Sequence, residues 1–374
     1  MKIVGGSVFC GDGFAPRDVY MCDGHFTDEV IDTAAVIDAA GCFVIPGLID
    51  LHFHGCVGYD FCDGTDEAFD AIARYEAARG VTALCPATMT YPEATLDAIV
   101  SAAAVHVDAP DAAALVGINM EGPFISSDKI GAQNPAYVQV PDTALFRRLQ
   151  ASARGLIKLV DVAPEVEGAF DFIDEFHDEV RISVAHTCAD YEIATQAFQR
   201  GARQVTHLYN AMPSLHHRQP GVIGAAFDAD DVMVEVIADG VHIHPAMVRV
   251  AFSLFGDDRV VLISDSMMAT GLSDGAYSLG GQAVSVRGNR ATLADGTIAG
   301  SVTDLAACVR IAVNDMDIPL ASAVKAATIN PARALGLEKE RGSIESGKIA
   351  DAVVLNSDLT VKHVVVRGLE RSLF

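Results

Sequence analysis

The chain has 374 residues, 51% of them hydrophobic, with 26 Lys and Arg against 50 Asp and Glu and hence a formal net charge of −24. That balance argues against nucleic acid or an anionic membrane as main partner, and a phosphate ligand would need a local cationic pocket. The length suits one large α/β domain, or a large domain with a smaller one, and the apolar content argues against disorder.

The first 45 residues hold short β-like pieces separated by Gly and Asp: Lys2 to Phe9, Val19 to Cys22, Val36 to Ala39. The stretch from 341 to 374 has the same character, with Ala352 to Leu355 and Val361 to Val366. Neither end alone could bury a core, so both are expected to combine into one small β domain. The stretch 43–55, FVIPGLIDLHFHG, follows: an apolar run, a Pro46-Gly47 break, a second run, then His52-Phe53-His54. Alternate residues of a strand share a side, so His52 and His54 project together and can grip one metal ion.

From 46 to 340, strand-like runs alternate with helix-like stretches, the signature of βα units. Eight candidate strands fall at 48–53, 81–85, 115–120, 156–162, 181–185, 203–206, 232–237 and 259–264, which suggests a closed barrel. Amphipathic stretches at 66–79, 92–107, 142–153, 165–178, 190–200 and 244–255 lie between them. The Gly- and Asp-rich segment 273–299 reads as a β-hairpin insertion after the eighth strand, ahead of a helix over 302–316. The 8 cysteines are scattered without a CxxC pair. Buried free thiols in a reducing cytosol are expected. The opening MKIVGG lacks a signal-peptide core and no run is long enough to span a membrane, so a soluble cytoplasmic protein is expected.

Polar residues collect at the strand ends: Glu121, His186, His207, the Asp239-Gly240-Val241-His242 run and Asp265. The C-terminal strand ends of a barrel form one rim, where active sites are built. Taken singly, Glu121 could start a helix and either histidine could sit satisfied in a core. With His52 and His54, six such residues on one rim point instead to a metal centre. Four histidines and two carboxylates, with no thiolate placed nearby, suit Zn²⁺ or Fe²⁺.

PGLIDLHFHG is similar to the opening signature of the amidohydrolase superfamily. MEGPFIS, VTHLYNAM, PSLHHRQPGVIGAA, IADGVHI, LISDSM and DGTIAGS, with the tail motifs around Asn330 to Arg333 and Gly347 to Ala352, resemble the N-acetylglucosamine-6-phosphate deacetylase family in that order along nearly the whole chain. The resemblance implies a (β/α)8 TIM-type barrel with a small β-sandwich domain formed by both chain ends. It implies Glu121, His186 and His207 as ligands of a primary divalent metal, and His52 and His54 as ligands of a second, with Glu121 able to bridge. Asp265 resembles the family's catalytic acid/base. Ala132, Asn210, Ala211, His242, Ile298, Ala299 and Gly300 resemble substrate contacts. Arg218 would hold the 6-phosphate across the interface of a homodimer. A phosphate needs charge-assisted donors, and His216-His217-Arg218 is one of few basic patches here; the alternative is a solvated loop. His244 reads as a bystander.

One departure stands out: members often read Gly-Ala-His where this chain has Gly131-Ala132-Gln133, so a phosphate or sugar contact there is expected to be altered. Lys158 lies near the start of the fourth strand, not its end, which disfavours a carbamylated-lysine branch. The implied activity is metal-dependent hydrolysis of the acetamide of N-acetylglucosamine 6-phosphate to glucosamine 6-phosphate and acetate. N-acetylgalactosamine 6-phosphate or another amide is the alternative substrate. A non-catalytic scaffold would be expected to lose the ligands that this chain retains.

Overall fold

The computed structural model describes residues 1–371, so the last three positions of the 341–374 range lie outside the described residues. Its centre is an α/β barrel-type arrangement of eight parallel strands: β1 (Leu48–Asp50), β2 (Val81–Leu84), β3 (Ile118–Met120), β4 (Ile157–Val162), β5 (Arg181–Val184), β6 (Gln204–Val205), β7 (Met233–Ile237) and β8 (Val260–Ile263). Strands β3 to β8 form one curled sheet in chain order, and β1 and β2 pair in a second with the short strand Ala114–Leu115. Main-chain bonds link the two sheets at both seams. Asn119 N–H donates to Pro86 O at 2.9 Å between β2 and β3, and Asp265 N–H donates to His52 O at 2.9 Å between β8 and β1. Parallel strands covered on both faces become uniformly apolar, and β8, Val260-Val261-Leu262-Ile263, is buried throughout.

Four of the connecting helices start where a short polar side chain takes an orphan N–H. Thr65 caps Asp66–Ala78, Asp142 caps Thr143–Ser152, Asp190 caps Tyr191–Arg200 and Asp304 caps Leu305–Asn314. Phe146 stacks edge-on against Phe176 at 4.6 Å and also meets Phe172, fastening two neighbouring helices. Burial of each such ring stabilises by about 1.5–3 kcal/mol. Three helices escape the periodicity argument: Gly221–Asp228, Leu320–Ala327 and Ile329–Ala334. The first carries two glycines in GVIGAAFD, a weak helix former held by packing against Tyr191–Arg200. The other two are short, and Asn330 ties the last to β8 by donating to Val260 O at 2.7 Å.

Strands from the two chain ends pair with one another. Ala352–Leu355 pairs antiparallel with Phe43–Pro46 in a six-stranded sheet, and a four-stranded sheet is built from Lys2–Val4, Val19–Cys22, His25–Thr27 and Val36–Asp38. Ile3, Val8, Phe26, Val44, Val354 and Val365 share one apolar cluster drawn from both sheets. The 273–299 segment is more than a hairpin: Gly275–Leu279, Gln282–Arg287 and Arg290–Thr292 form a three-stranded antiparallel sheet. Val284 and Val286 alternate inward there onto Met89 and Met267. The thiol expectation holds only partly, because Cys10, Cys22 and Cys188 are exposed. Among the described residues no helix is long and apolar enough to cross a membrane.

Candidate metal centre

Strand β1 ends at Asp50, so His52 and His54 lie just beyond it and not inside a strand of 48–53. Alternation still holds: Phe53 turns into the main core, while both imidazoles face the rim. The segment keeps its extended course because it continues to bond the chain beyond β8, with His54 N–H donating to Ser266 O at 2.7 Å. His186, His207 and Asp265 each fall two residues past the end of β5, β6 and β8, and each has left-handed backbone, with φ of 43°, 30° and 49°. For a residue other than glycine that conformation costs on the order of 1–3 kcal/mol, and it persists only where the surroundings enforce it. The side chains that leave these turns meet in two clusters of ligand atoms.

These residues close into two triads, Glu121/His186/His207 and His52/His54/Asp265. Glu121 Oε1 lies 2.9 Å from His186 Nε2 and 3.3 Å from His207 Nε2, and its Oε2 lies 3.4 Å from His54 Nε2. His54 Nε2 is 3.3 Å from Asp265 Oδ1. One carboxylate thus faces both triads. All six residues are buried.

Three of the imidazoles show how they are aimed. His186 Nδ1–H donates to Lys129 O at 2.8 Å, which leaves the Nε2 lone pair for the site. His52 Nδ1 is 3.1 Å from Glu235 Oε2, and its fully buried Nε2 has no hydrogen-bond partner. The Nε2 atoms of His186 and His207 are 3.1 Å apart. Lone pairs facing carboxylate oxygens and one another repel unless a cation lies among them. Imidazole and carboxylate donors in this pattern fit a divalent cation.

The charges agree. Burial opposes charge on Glu121 and His52, but their mutual attraction outweighs it: Glu121 is held well below the usual carboxylate range, and His52, with Glu235 adding its charge, well above the usual histidine. Burial and the neighbouring His186 push His207 down, keeping it neutral and able to ligate. Burial would raise Asp265, yet His54, His52 and His242 keep it below the ordinary aspartate. Asp239 accepts from His242 Nδ1 at 2.7 Å and, against the effect of burial, raises the pKa of that imidazole.

The triads open onto a cavity of about 240 Å³ whose walls include Ala132, Asn210, Ala211, His242, Ile298 and Gly300. Two residues named from the sequence lie elsewhere. Ala299 is fully buried in the apolar cluster with Met89 and Met267. Arg218 is exposed, bonds His217 Nε2 at 2.7 Å and lines a separate cavity beside Cys188 and Pro213. Gln133, where the chain departs from the resemblance, donates its amide to Glu121 Oε2 at 2.8 Å and accepts Thr90 N–H on its oxygen at 2.7 Å, so it orients the carboxylate that faces both triads. Lys158 is exposed near the start of β4, as the sequence indicates. Sequence reasoning missed Glu235, although an acid inside the apolar run Met233 to Ile237 was a visible signal. It quoted Asp239 without a role, and it gave no reason to choose Met89, Leu279 or Thr297 as cavity walls.

The family model for the amidohydrolase family matches residues 43–370. A protein of Bacillus subtilis (strain 168), N-acetylglucosamine-6-phosphate deacetylase, is 39% identical over 330 residues, 87% of this chain and 83% of that one. N-acetylgalactosamine-6-phosphate deacetylase of Escherichia coli O157:H7 is 34% identical, covering 86% of each chain. Among solved structures, a mutant N-acetyl-D-glucosamine-6-phosphate deacetylase from Mycobacterium smegmatis, in complex with N-acetyl-D-glucosamine-6-phosphate, superposes with a TM-score of 0.93 at 33% identity over 99% of this chain and 98% of that one.

Proposed function

This chain belongs to the amidohydrolase family, and from that premise we propose that it hydrolyses N-acetyl-D-glucosamine 6-phosphate to D-glucosamine 6-phosphate and acetate. The observation that carries the reading is the pair of buried His/carboxylate triads, with Glu121 of one facing the other, beside one cavity. We read the architecture as a closed (β/α)8 barrel over 46–340 and the two terminal sheets, from 1–45 and 341–374, as a β-sandwich domain.

Glu121, His186 and His207 would hold a primary ion and His52 and His54 a second, each Zn²⁺ or Fe²⁺. Such an ion polarises an amide carbonyl and makes hydroxide accessible near neutral pH. Asp265, kept ionised by its histidine neighbours, takes the proton of the attacking water and passes it to the departing amine nitrogen. His242, with Nδ1 engaged by Asp239, offers Nε2–H to a substrate oxygen beside the reacting carbonyl. Ala132, Asn210, Ala211, Ile298 and Gly300 shape the sugar site. Arg218 lines a separate cavity and not the one above the triads, which supports a homodimer in which it reaches the partner's substrate phosphate. We place the enzyme in the cytoplasm, handling a phosphorylated amino sugar.

N-acetylgalactosamine 6-phosphate is the second reading, because the relative named for that substrate is similar over as much of the chain. Acetate release should be measured on both 6-phosphates and on the unphosphorylated sugars. The reading predicts a higher kcat/KM on the glucosamine epimer and a steep loss without phosphate. A preference for the galacto epimer transfers the assignment, and equal activity without phosphate removes Arg218 from its role.

A further inference from the structure

We propose that Glu235 is the positioning residue that holds both metal triads in register, an inference that rests on the two-cation reading above. Glu235 lies in the middle of β7 and is fully buried among apolar neighbours. Among the described residues its one ion-pair partner is His52. A buried carboxylate with no Lys or Arg beside it is strongly disfavoured unless hydrogen bonds hold it.

Those bonds are with the metal triads. Glu235 Oε2 lies 3.1 Å from His52 Nδ1 and accepts the backbone N–H of His207 at 3.2 Å. Its Oε1 accepts from the side-chain amide of Gln204. A single carboxylate group therefore touches one ligand of each triad. The same residue's carbonyl accepts Leu208 N–H at 2.8 Å, so side chain and main chain together pin the left-handed turn that aims His207.

The bond also decides the His52 tautomer. Two groups compete for Nδ1: the Asn119 amide, a donor, at 3.3 Å, and the Glu235 carboxylate, an acceptor, at 3.1 Å. The charged acceptor is closer and forms the stronger bond, so the proton resides on Nδ1. Nε2 is then left bare toward Glu121 and Asp265, as a ligand must be. The buried acid nearest in character, Asp161 on β4, accepts from Thr206 Oγ1 and bonds no metal ligand.

The test compares Glu235→Leu and Glu235→Gln with the unaltered chain, all full length and loaded with Zn²⁺. Ions per chain are counted by elemental analysis and affinities measured by chelator competition, with circular dichroism as the check on folding. The Leu variant should drop from about two ions to about one, and the remaining ion should bind on the order of 10–100-fold more weakly. The Gln variant should keep both ions with a smaller loss of affinity. Its amide oxygen still accepts from His52, and Gln204 can turn its unpartnered oxygen to the new amide. Unchanged stoichiometry and affinity in the Leu variant overturn the proposal, as does a lowered melting temperature with unchanged chelator competition. If the Leu variant does not fold, the Gln variant decides, and unaltered affinity there is the refuting result. If the unaltered chain itself binds one ion, the two-cation reading fails, and Glu235 is then judged by whether that ion weakens.

Discussion

The Glu121/His186/His207 triad is set largely by the main chain, with His186 anchored to the Lys129 carbonyl and both histidines on left-handed turns past β5 and β6. In the other triad, His52 is aimed by the Glu235 side chain, and His54 Nδ1 is buried without a partner. Geometry fixed by backbone survives most single substitutions, because the fold maintains it. Geometry fixed by one carboxylate can be lost while the barrel stays intact. Glu121 of one triad faces the other, yet the two should respond unequally to mutation, with the His52/His54 half the more easily lost.

Glu121→Ala erases the contrast, since it removes a member of one triad and the carboxylate that faces the other. Bound metal should fall from about two ions per chain to nearly none and acetate release should disappear, read by elemental analysis and the acetate assay. Asp265→Asn comes next: turnover should drop by about 10²–10⁴-fold while the variant still binds substrate, and substantial residual turnover would remove Asp265 from proton transfer. His52→Gln with His54→Asn addresses one triad alone and should lower metal from about two ions to about one. Unchanged stoichiometry would mean that the paired histidines hold no ion.

The smallest effect concerns pH. Asp265 sits below its ordinary pKa and His242 above its own. Ionised base and protonated donor therefore coexist from below the usual aspartate range to above the usual histidine value. A profile of kcat/KM should show its acid limb under about pH 4 and its alkaline limb above about pH 6.5. His242→Asn should remove the alkaline limb, and an unmoved limb in that variant assigns it to another group.

Much of the site was legible because metal-ligating side chains are chemically scarce and follow apolar strands. His52, His54, Glu121, His186, His207 and Asp265 each end or follow an apolar run, and all six converge. What escaped was residues whose role depends on neighbours distant in sequence. Gln133 read only as an altered phosphate or sugar contact, whereas its side chain bonds Glu121 and the Thr90 backbone. Ala299 read as a substrate contact by resemblance, whereas its side chain is buried in the cluster with Met89 and Met267. Helix Gly221–Asp228 was hidden because glycine carries little helical preference and tertiary packing supplies the remainder.

Composition, period and the spacing of histidines by themselves determined that this chain builds parallel βα units and carries a histidine–carboxylate centre at their ends. Those features are local: apolar alternation and strand-end placement need only a few consecutive residues. Only the tertiary structure decided that Glu121 faces both triads, that Glu235 orients His52 and that Arg218 lies outside its own cavity. Each of these is a distance of a few ångströms between residues far apart in the chain, set by how the strands curl and where the loops return.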